Sequence, residues 1–210
     1  MKTSIKNLFA AVLTTVVLTS SAFASVDEPK NAITVLNQVK NIAKLEVSGN
    51  VKVLLMQSPT ESVKVYDSYY SKNALVQQQD GVLRISSFQE QPLTVAVYVR
   101  NLTSVQLTDN ATIKTYGKVS FLTLDVILKD KASADIDATT ISLYTAVKDN
   151  ATLTLSGTTE DHTAILGSLA QINMNQFIAA NTSVKSLPAP VKKQKEAIFS
   201  FAANIAEIGK

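Results

Sequence analysis

No cysteine occurs anywhere in the 210 residues. The chain therefore forms no disulfide and carries no lipid-modified cysteine, so its stability must come from packing and strand hydrogen bonds. Histidine occurs once, at His162. A catalytic triad, a histidine-rich zinc site or a histidine general base would need that residue together with a nucleophile or further ligands. It stands in Gly157–His162, which reads as an exposed turn. Glycine is scarce, at six residues, and none of them builds a phosphate-cradling loop or a Gly-x-Ser-x-Gly nucleophile elbow. Scarce glycine beside serine- and threonine-rich turns fits an all-β surface better than a flexible linker. No cofactor or metal site is implied.

The one long apolar run, Leu8 to Leu18, follows Lys2 and Lys6 and precedes Ala22-Phe23-Ala24. Positive start, apolar centre and A-x-A site make residues 1–24 an export signal cut before Ser25. The run is short for a membrane span, so the mature chain is expected to have no transmembrane segment and to be periplasmic or extracellular. The signal holds two of the 20 basic residues and no acid, leaving 18 basic against 17 acidic residues. A nearly neutral chain without a dense basic–aromatic surface excludes nucleic acid as a partner.

A repeat fills Leu102 to Asn175. Four turns recur: Asp109-Asn110-Ala111-Thr112, Asp130-Lys131-Ala132-Ser133, Asp149-Asn150-Ala151-Thr152 and a degenerate Ser168-Leu169-Ala170-Gln171. Their alanines are 21, 19 and 19 residues apart. Columns align on either side: Leu107, Leu128, Val147 and Leu166 before the alanine, then Ile113, Ala134, Leu153 and Ile172, and Thr115, Ile136, Leu155 and Met174 after it. A period near twenty belongs to stacked units that cannot bury their apolar faces alone. The alternation is strand-like, with Ile141, Leu143, Thr145 and Val147 on one side of a strand. These features predict an all-β parallel β-solenoid over 25–187, with alanine at a tight corner and the neighbouring Asp or Asn bonding its own turn backbone. The alternative is an antiparallel meander of hairpins.

Ahead of the repeat, Leu45 to Leu55 reads as strand, Ser-Gly-Asn turn and strand. Ser62–Tyr66 and Leu93–Val99 read as strands, and Asp80-Gly81 as a turn leading into another. Asn31–Gln38 is open between strand and short helix. The pattern decays after Asn175. Beyond Pro188 and Pro190, a segment (188–210) carries Lys192 to Lys195 and then Ile198, Phe201, Ala202, Ile205 and Ile208 at helical spacing. An amphipathic helix capping the last repeat is expected there, with a membrane-surface or partner helix as the alternative.

The strings Ile42-Ala43-Lys44-Leu45-Glu46-Val47-Ser48-Gly49-Asn50-Val51-Lys52-Val53-Leu54-Leu55-Met56-Gln57, Val63-Lys64-Val65, Asp80-Gly81-Val82-Leu83-Arg84-Ile85 and Leu102-Thr103-Ser104-Val105 resemble a known family. It is the auto-transporter adhesin head GIN domain, a domain of unknown function common in exported proteins of Bacteroidetes. The resemblance covers roughly residues 40–175 and implies a right-handed β-helix-like fold and an envelope location. This sequence departs from the family pattern in its turns, where Asp-Asn-Ala-Thr and Asp-Lys-Ala-Ser replace glycine-rich turns, and in Ser58, where glycine is usual. The segment after Pro188 lies outside that pattern. No catalytic or binding residue carries over.

Three sets of residues could bear chemistry. Asp135 and Asp137 are two apart on one strand face, with Asp125 expected on a neighbouring repeat; paired carboxylates could act on a glycosidic bond. Their bland reading is a solvated outer face. Asp109, Asp130 and Asp149 could stack as a calcium ladder, but the glycine-rich signature of such ladders is absent and turn-forming aspartate accounts for them. Tyr69, Tyr70 and Tyr144 could offer stacking platforms, against a reading as packing. Four Asn-x-Ser/Thr triplets are what a threonine-rich repeat produces by composition. The expected function is a non-enzymatic interaction module of the cell envelope, binding a glycan or protein partner, with a polysaccharide-binding or polysaccharide-degrading β-helix as the alternative.

Overall fold

A computed structural model describes residues 33–66 and 74–188. The expected signal peptide, Tyr69, Tyr70 and the helical pattern from Ile198 onward lie outside them. The strands in chain order are β1 Ile33–Leu36, β2 Lys44–Gly49, β3 Val51–Gln57, β4 Ser62–Tyr66, β5 Ala74–Gln79, β6 Val82–Ser87, β7 Leu93–Val99, β8 Ser104–Leu107, β9 Thr112–Thr115, β10 Val119–Leu128, β11 Ser133–Val147, β12 Thr152–Leu166 and β13 Gln171–Ser186. No helix occurs among the described residues. The open segment Asn31–Gln38 thus contains a strand.

All thirteen strands join one mixed sheet. Every pairing among β8 to β13 is parallel, which removes the meander of hairpins. Antiparallel pairs are confined to β1–β4, β4–β7 and β5–β6. The sheet curls because β11 is long enough to serve two neighbours: its start pairs with β9 and its remainder with β10.

The aligned columns are register neighbours. Leu128 lies beside Leu107 and Val147, and Val147 beside Leu166. Ala134 lies beside Ile113 and Leu153, and Leu153 beside Ile172. Burial follows from this stacking, since like residues cover one another and exclude water. Leu107, Leu128, Val147 and Leu153 are all fully buried. The same columns run on into the N-terminal strands, where Val47 pairs with both Leu107 and Ile85 and Val53 with Ile113. Sequence periodicity does not reveal that continuation, because residues 58–103 intervene between β3 and β8.

Each repeat turns at its aspartate. Asp109, Asp130 and Asp149 have φ of 60°, 59° and 55°, a left-handed conformation that aspartate tolerates better than most residues. The alanine N–H closes a four-residue turn onto the carbonyl three residues back, Ala132 onto Lys129 and Ala151 onto Lys148. Ala111, Ala132 and Ala151 are fully buried, consistent with a corner too tight for a larger side chain. The carboxylates, however, bond the backbone of a neighbouring segment and not that of their own turns. Asp130 Oδ2 accepts from the Asp109 N–H at 3.2 Å, and Asp149 Oδ2 from the Asp130 N–H at 3.2 Å. Asp109 Oδ2 accepts from the Gly49 N–H at 2.9 Å. The ladder therefore ties one repeat to the next, beginning at Gly49.

A second corner carries no turn residue. Phe121, Thr140 and Thr159 are buried, the next two residues in each case are exposed, and Leu124, Leu143 and His162 are buried again. Two adjacent outward side chains reset the inward phase, so Ile141 faces solvent rather than joining Leu143, Thr145 and Val147. Gly157 makes a bend between them possible, with φ of 98° and the Ala138 carbonyl oxygen 2.1 Å from where a Cβ would stand. Repeat lengths differ at two places, one of them a one-residue bulge in β13 where the offset to β12 passes from 19 (Thr154 to Asn173) to 20 (Ser156 to Gln176). The other lies earlier. Ala132 follows Ala111 by 21 residues but Ala138 pairs with Val119, 19 residues apart. The two additional residues sit in Tyr116–Lys118, an exposed excursion around Gly117 (φ 78°).

Asp80 and Gly81, with φ of 51° and 75°, join β5 to β6 in a two-residue hairpin, the geometry Asp-Gly favours. Ser48-Gly49-Asn50, by contrast, is a corner: β2 and β3 do not pair with each other. The strand pattern also continues past Asn175 to Ser186; decay there reflects loss of apolar residues and not loss of strand.

Candidate functional site

The outward side chains form ranks about 4.8 Å apart, one per repeat. On one side Thr112, Ser133, Thr152 and Gln171 are register neighbours, followed by Lys114, Asp135, Thr154 and Asn173. On another Ser104, Asp125, Tyr144, Thr163 and Ser183 form a rank. A third carries Ser120, Thr139 and Thr158. Strand alternation produces this directly, since each inward Leu or Ala is flanked by outward Thr, Ser or Asn.

The three aspartates are not brought together. Asp125 stands beside Ser104 and Tyr144, whereas Asp135 stands beside Lys114 and Thr154, and Asp137 beside Ser156. Tyr144 is seven residues beyond Asp137 on the same strand, so Asp125 belongs to a different stretch of the sheet. Asp135 is engaged by the Lys114 ammonium at 2.5 Å, an exposed pair that raises the lysine pKa through its hydrogen bond and charge. The Asp137 N–H donates to Thr115 Oγ1 at 2.9 Å. Asp135 and Asp137 do share one outward face.

His162 is not in an exposed turn. It lies within β12, 2% exposed, in register with Leu143. Its polar neighbours Glu160 and Asp161 disguise the inward phase, which the second corner sets. Nε2 is 3.0 Å from the buried Thr145 Oγ1, and the ring meets Phe177 edge-on at 5.3 Å between centroids. Nδ1 is buried with no hydrogen-bond partner among the described residues. Burial pushes its pKa below the usual histidine value. It is the only titratable side chain buried among the described residues.

Two open grooves cross the outer ranks. One of about 500 Å³ is lined by Ser120, Leu122, Thr139, Ile141, Thr158 and Glu160, with Thr140 and Thr159 at its floor. Thr140 Oγ1 donates to Thr159 Oγ1 at 2.8 Å. The other, about 270 Å³, is lined by the Arg84–Glu46 ion pair, Gln106 and Leu75. Both offer hydroxyl and apolar contact, the second also the Gln106 amide. No group of three or more metal-capable side chains is assembled among the described residues, and no helix there is long and apolar enough to cross a membrane.

Comparison with known proteins follows the same lines. The family model described as "Putative auto-transporter adhesin, head GIN domain" matches residues 41–187. No curated protein matches the chain. Among solved structures, a putative adhesin of Parabacteroides distasonis ATCC 8503 is similar at a TM-score of 0.56 and 14% identity, covering 74% of this chain and 77% of its own. A putative adhesin of Parabacteroides merdae ATCC 43184 gives 0.55 and 15%, with 74% and 77% covered. A protein described as a putative lipid binding protein, also from Parabacteroides distasonis ATCC 8503, gives 0.60 at 7%, with 74% and 78% covered. At these identities the likeness is one of fold.

Proposed function

This chain belongs to the putative auto-transporter adhesin, head GIN domain, family, and we propose that it acts as an exported, non-enzymatic recognition module of the cell envelope. Export rests on the charged start, apolar run and A-x-A site of residues 1–24. Recognition rests chiefly on one observation: several parallel strands present ranks of Thr, Ser, Asn and Gln at strand spacing, with shallow grooves between them. Such a face contacts an extended ligand through many weak polar bonds, each worth about 0.5–1.5 kcal/mol net, rather than through one pocket. The 19- to 21-residue offset between parallel neighbours from β8 to β13 supports reading the repeat as a β-solenoid whose length sets the length of that face.

Tyr144 is the first contact to test, half-buried between Asp125 and Thr163 on its rank. Tyr69 and Tyr70 are further stacking candidates from sequence. The alternative is a polysaccharide-binding or polysaccharide-cleaving domain using Asp125, Asp135 and Asp137, supported by the shared face of Asp135 and Asp137. A glycan and polysaccharide array, run beside reducing-sugar release on the same polymers, separates the two. Binding without release, weakened by Tyr144→Ala, is the expected result. Sugar release abolished by Asp135→Asn would overturn the non-enzymatic reading. Absence of binding to every polymer would direct the search to protein partners.

A further inference from the structure

The most exposed large apolar side chain among the described residues is Phe88, at 74%. It opens the connection between β6 and β7, residues 88–92, which Asn50 pins from the β2–β3 corner. The Asn50 side-chain amide donates to the carbonyls of Gln89 at 3.1 Å and Glu90 at 2.8 Å. Its backbone N–H donates to the Ser87 carbonyl at 2.6 Å, and its carbonyl accepts from the Leu93 N–H at 3.0 Å. One residue thus fixes a short loop that holds an aromatic ring in water. The ring stands close to Gly49, where a Cβ would lie 3.1 Å from Phe88 Cδ1. Exposure alone is ordinary for an apolar side chain; a ring fixed at the wall of a polar cavity is not.

That cavity, of about 370 Å³, is lined by Phe88 with Gln89, Glu90, Asp109 and Asn110, within the ~300–1,000 Å³ of small-molecule sites. Its rim is rich in acceptors. The Asn50 Nδ2 is committed to the loop, and its Oδ1 meets no donor among the described residues. Asp109 engages the Gly49 N–H through Oδ2 and keeps Oδ1. Glu90 adds a second carboxylate, and no basic side chain is among the lining residues. An aromatic face beside several acceptors complements a pyranose: the sugar's C–H face lies on the ring while its hydroxyls donate to the rim. The two carboxylates repel phosphorylated, sulfated and uronic ligands. An ammonium ligand calls for a cage of aromatic walls, and Phe88 is the one aromatic residue of the lining. We propose that Phe88, Asn50, Glu90, Asp109 and Asn110 form a binding site for one ring of an uncharged saccharide. The proposal rests on the recognition reading above and adds to it a discrete site at the first rung of the aspartate ladder, distinct from the strand ranks.

The probes are glucose, galactose, mannose and N-acetylglucosamine, with galacturonate and tetramethylammonium as charged counterparts, added to the isotope-labelled whole chain. NMR follows the backbone amides of Asn50, Phe88, Gln89, Glu90 and Asn110, beside glycan-array binding of the wild-type, Phe88→Ala and Tyr144→Ala chains. At least one uncharged sugar is expected to shift those amides with a Kd of about 1–10 mM. Phe88→Ala, whose amide spectrum outside the loop should be unchanged, is expected to weaken that binding at least ~10-fold, and Tyr144→Ala to leave it alone. Glu90→Gln, with one carboxylate removed, should narrow the margin between the uncharged sugars and galacturonate. Unmoved loop amides with all four uncharged sugars would overturn the proposal, as would tighter binding of galacturonate or tetramethylammonium. Array binding that survives Phe88→Ala while the loop amides stay unmoved would overturn this site and leave the recognition module standing. A silent array beside sugar-shifted loop amides would sustain the site and count against the extended face.

Discussion

β12 and β13 are successive copies of one repeat, in register along most of their length, yet they differ in what lies on their far side. β12 has a strand on both edges and its inward residues Leu153, Leu155 and Ala164 are at most 1% exposed. Among the described residues β13 has a strand on one edge only; its Ile172 and Met174 are partly buried and its Val184 is 49% exposed. The sequence of a repeat therefore does not set its stability alone; the neighbour does.

Paired substitutions sharpen that contrast. Leu153→Ala should cost about 2–5 kcal/mol by opening a sealed column. Ile172→Ala one repeat later should cost roughly 1 kcal/mol, since less area is withdrawn from water there. Chemical denaturation of the variants measures both, and equal losses would break the comparison. Gly157→Ala comes next. Its φ of 98° and the Ala138 carbonyl in the Cβ position predict a loss of about 1–3 kcal/mol or more. Gly117→Ala, with a similar φ of 78° but nothing near its Cβ, should lose only the backbone part, roughly 1 kcal/mol.

Asp149→Ala should cost about 1–2 kcal/mol, because it deletes the acceptor of the Asp130 N–H and places alanine at positive φ. Asp149→Asn keeps an acceptor oxygen and should lose less. The smallest effect is a pH slope. His162 has a folded pKa below its unfolded value, so the unfolded chain binds the proton more readily. Its stabilising contribution is complete above the unfolded pKa of about 6.5 and is lost as pH falls from there toward the folded value, by at most about 1.4 kcal/mol per pH unit. The inward face of β11 offers Leu143 and Thr145 and that of β13 offers Phe177, while Glu160 and Asp161 on β12 point outward; among the described residues no countercharge faces the ring. His162→Leu with Thr145→Val, which leaves no orphaned hydroxyl, should flatten stability between pH 7 and 5.5. An unchanged slope would show that the ring is solvated through β13.

Sequence alone locates what side-chain type dictates. The Asp-x-Ala corners, the apolar columns, the Asp80-Gly81 turn and the strands Ser62–Tyr66 and Leu93–Val99 are visible because turn chemistry and alternation are local. The Phe121, Thr140 and Thr159 corner is invisible, since it bends by putting two neighbours outward without glycine, proline or asparagine. That blind spot hides the inward phase of His162. The continuation of the columns into β2, β3, β6 and β7 is hidden for another reason: the offset to β8 and β9 is 60 residues, outside the period being counted. Of the candidate residues, the shared face of Asp135 and Asp137 follows from strand alternation. The separation of Asp125 depends on which half of a long strand it meets, and spacing cannot reveal that.

The excursion at Tyr116–Lys118 has a practical side. The aspartate ladder holds successive repeats in step, and the surplus length of one repeat is discharged at Gly117, away from every rung. A foreign peptide spliced between Gly117 and Lys118 would lengthen a blister that the chain already tolerates. It would leave the amide–carboxylate contacts on either side undisturbed, which makes this position a natural mount for an epitope or a fluorophore.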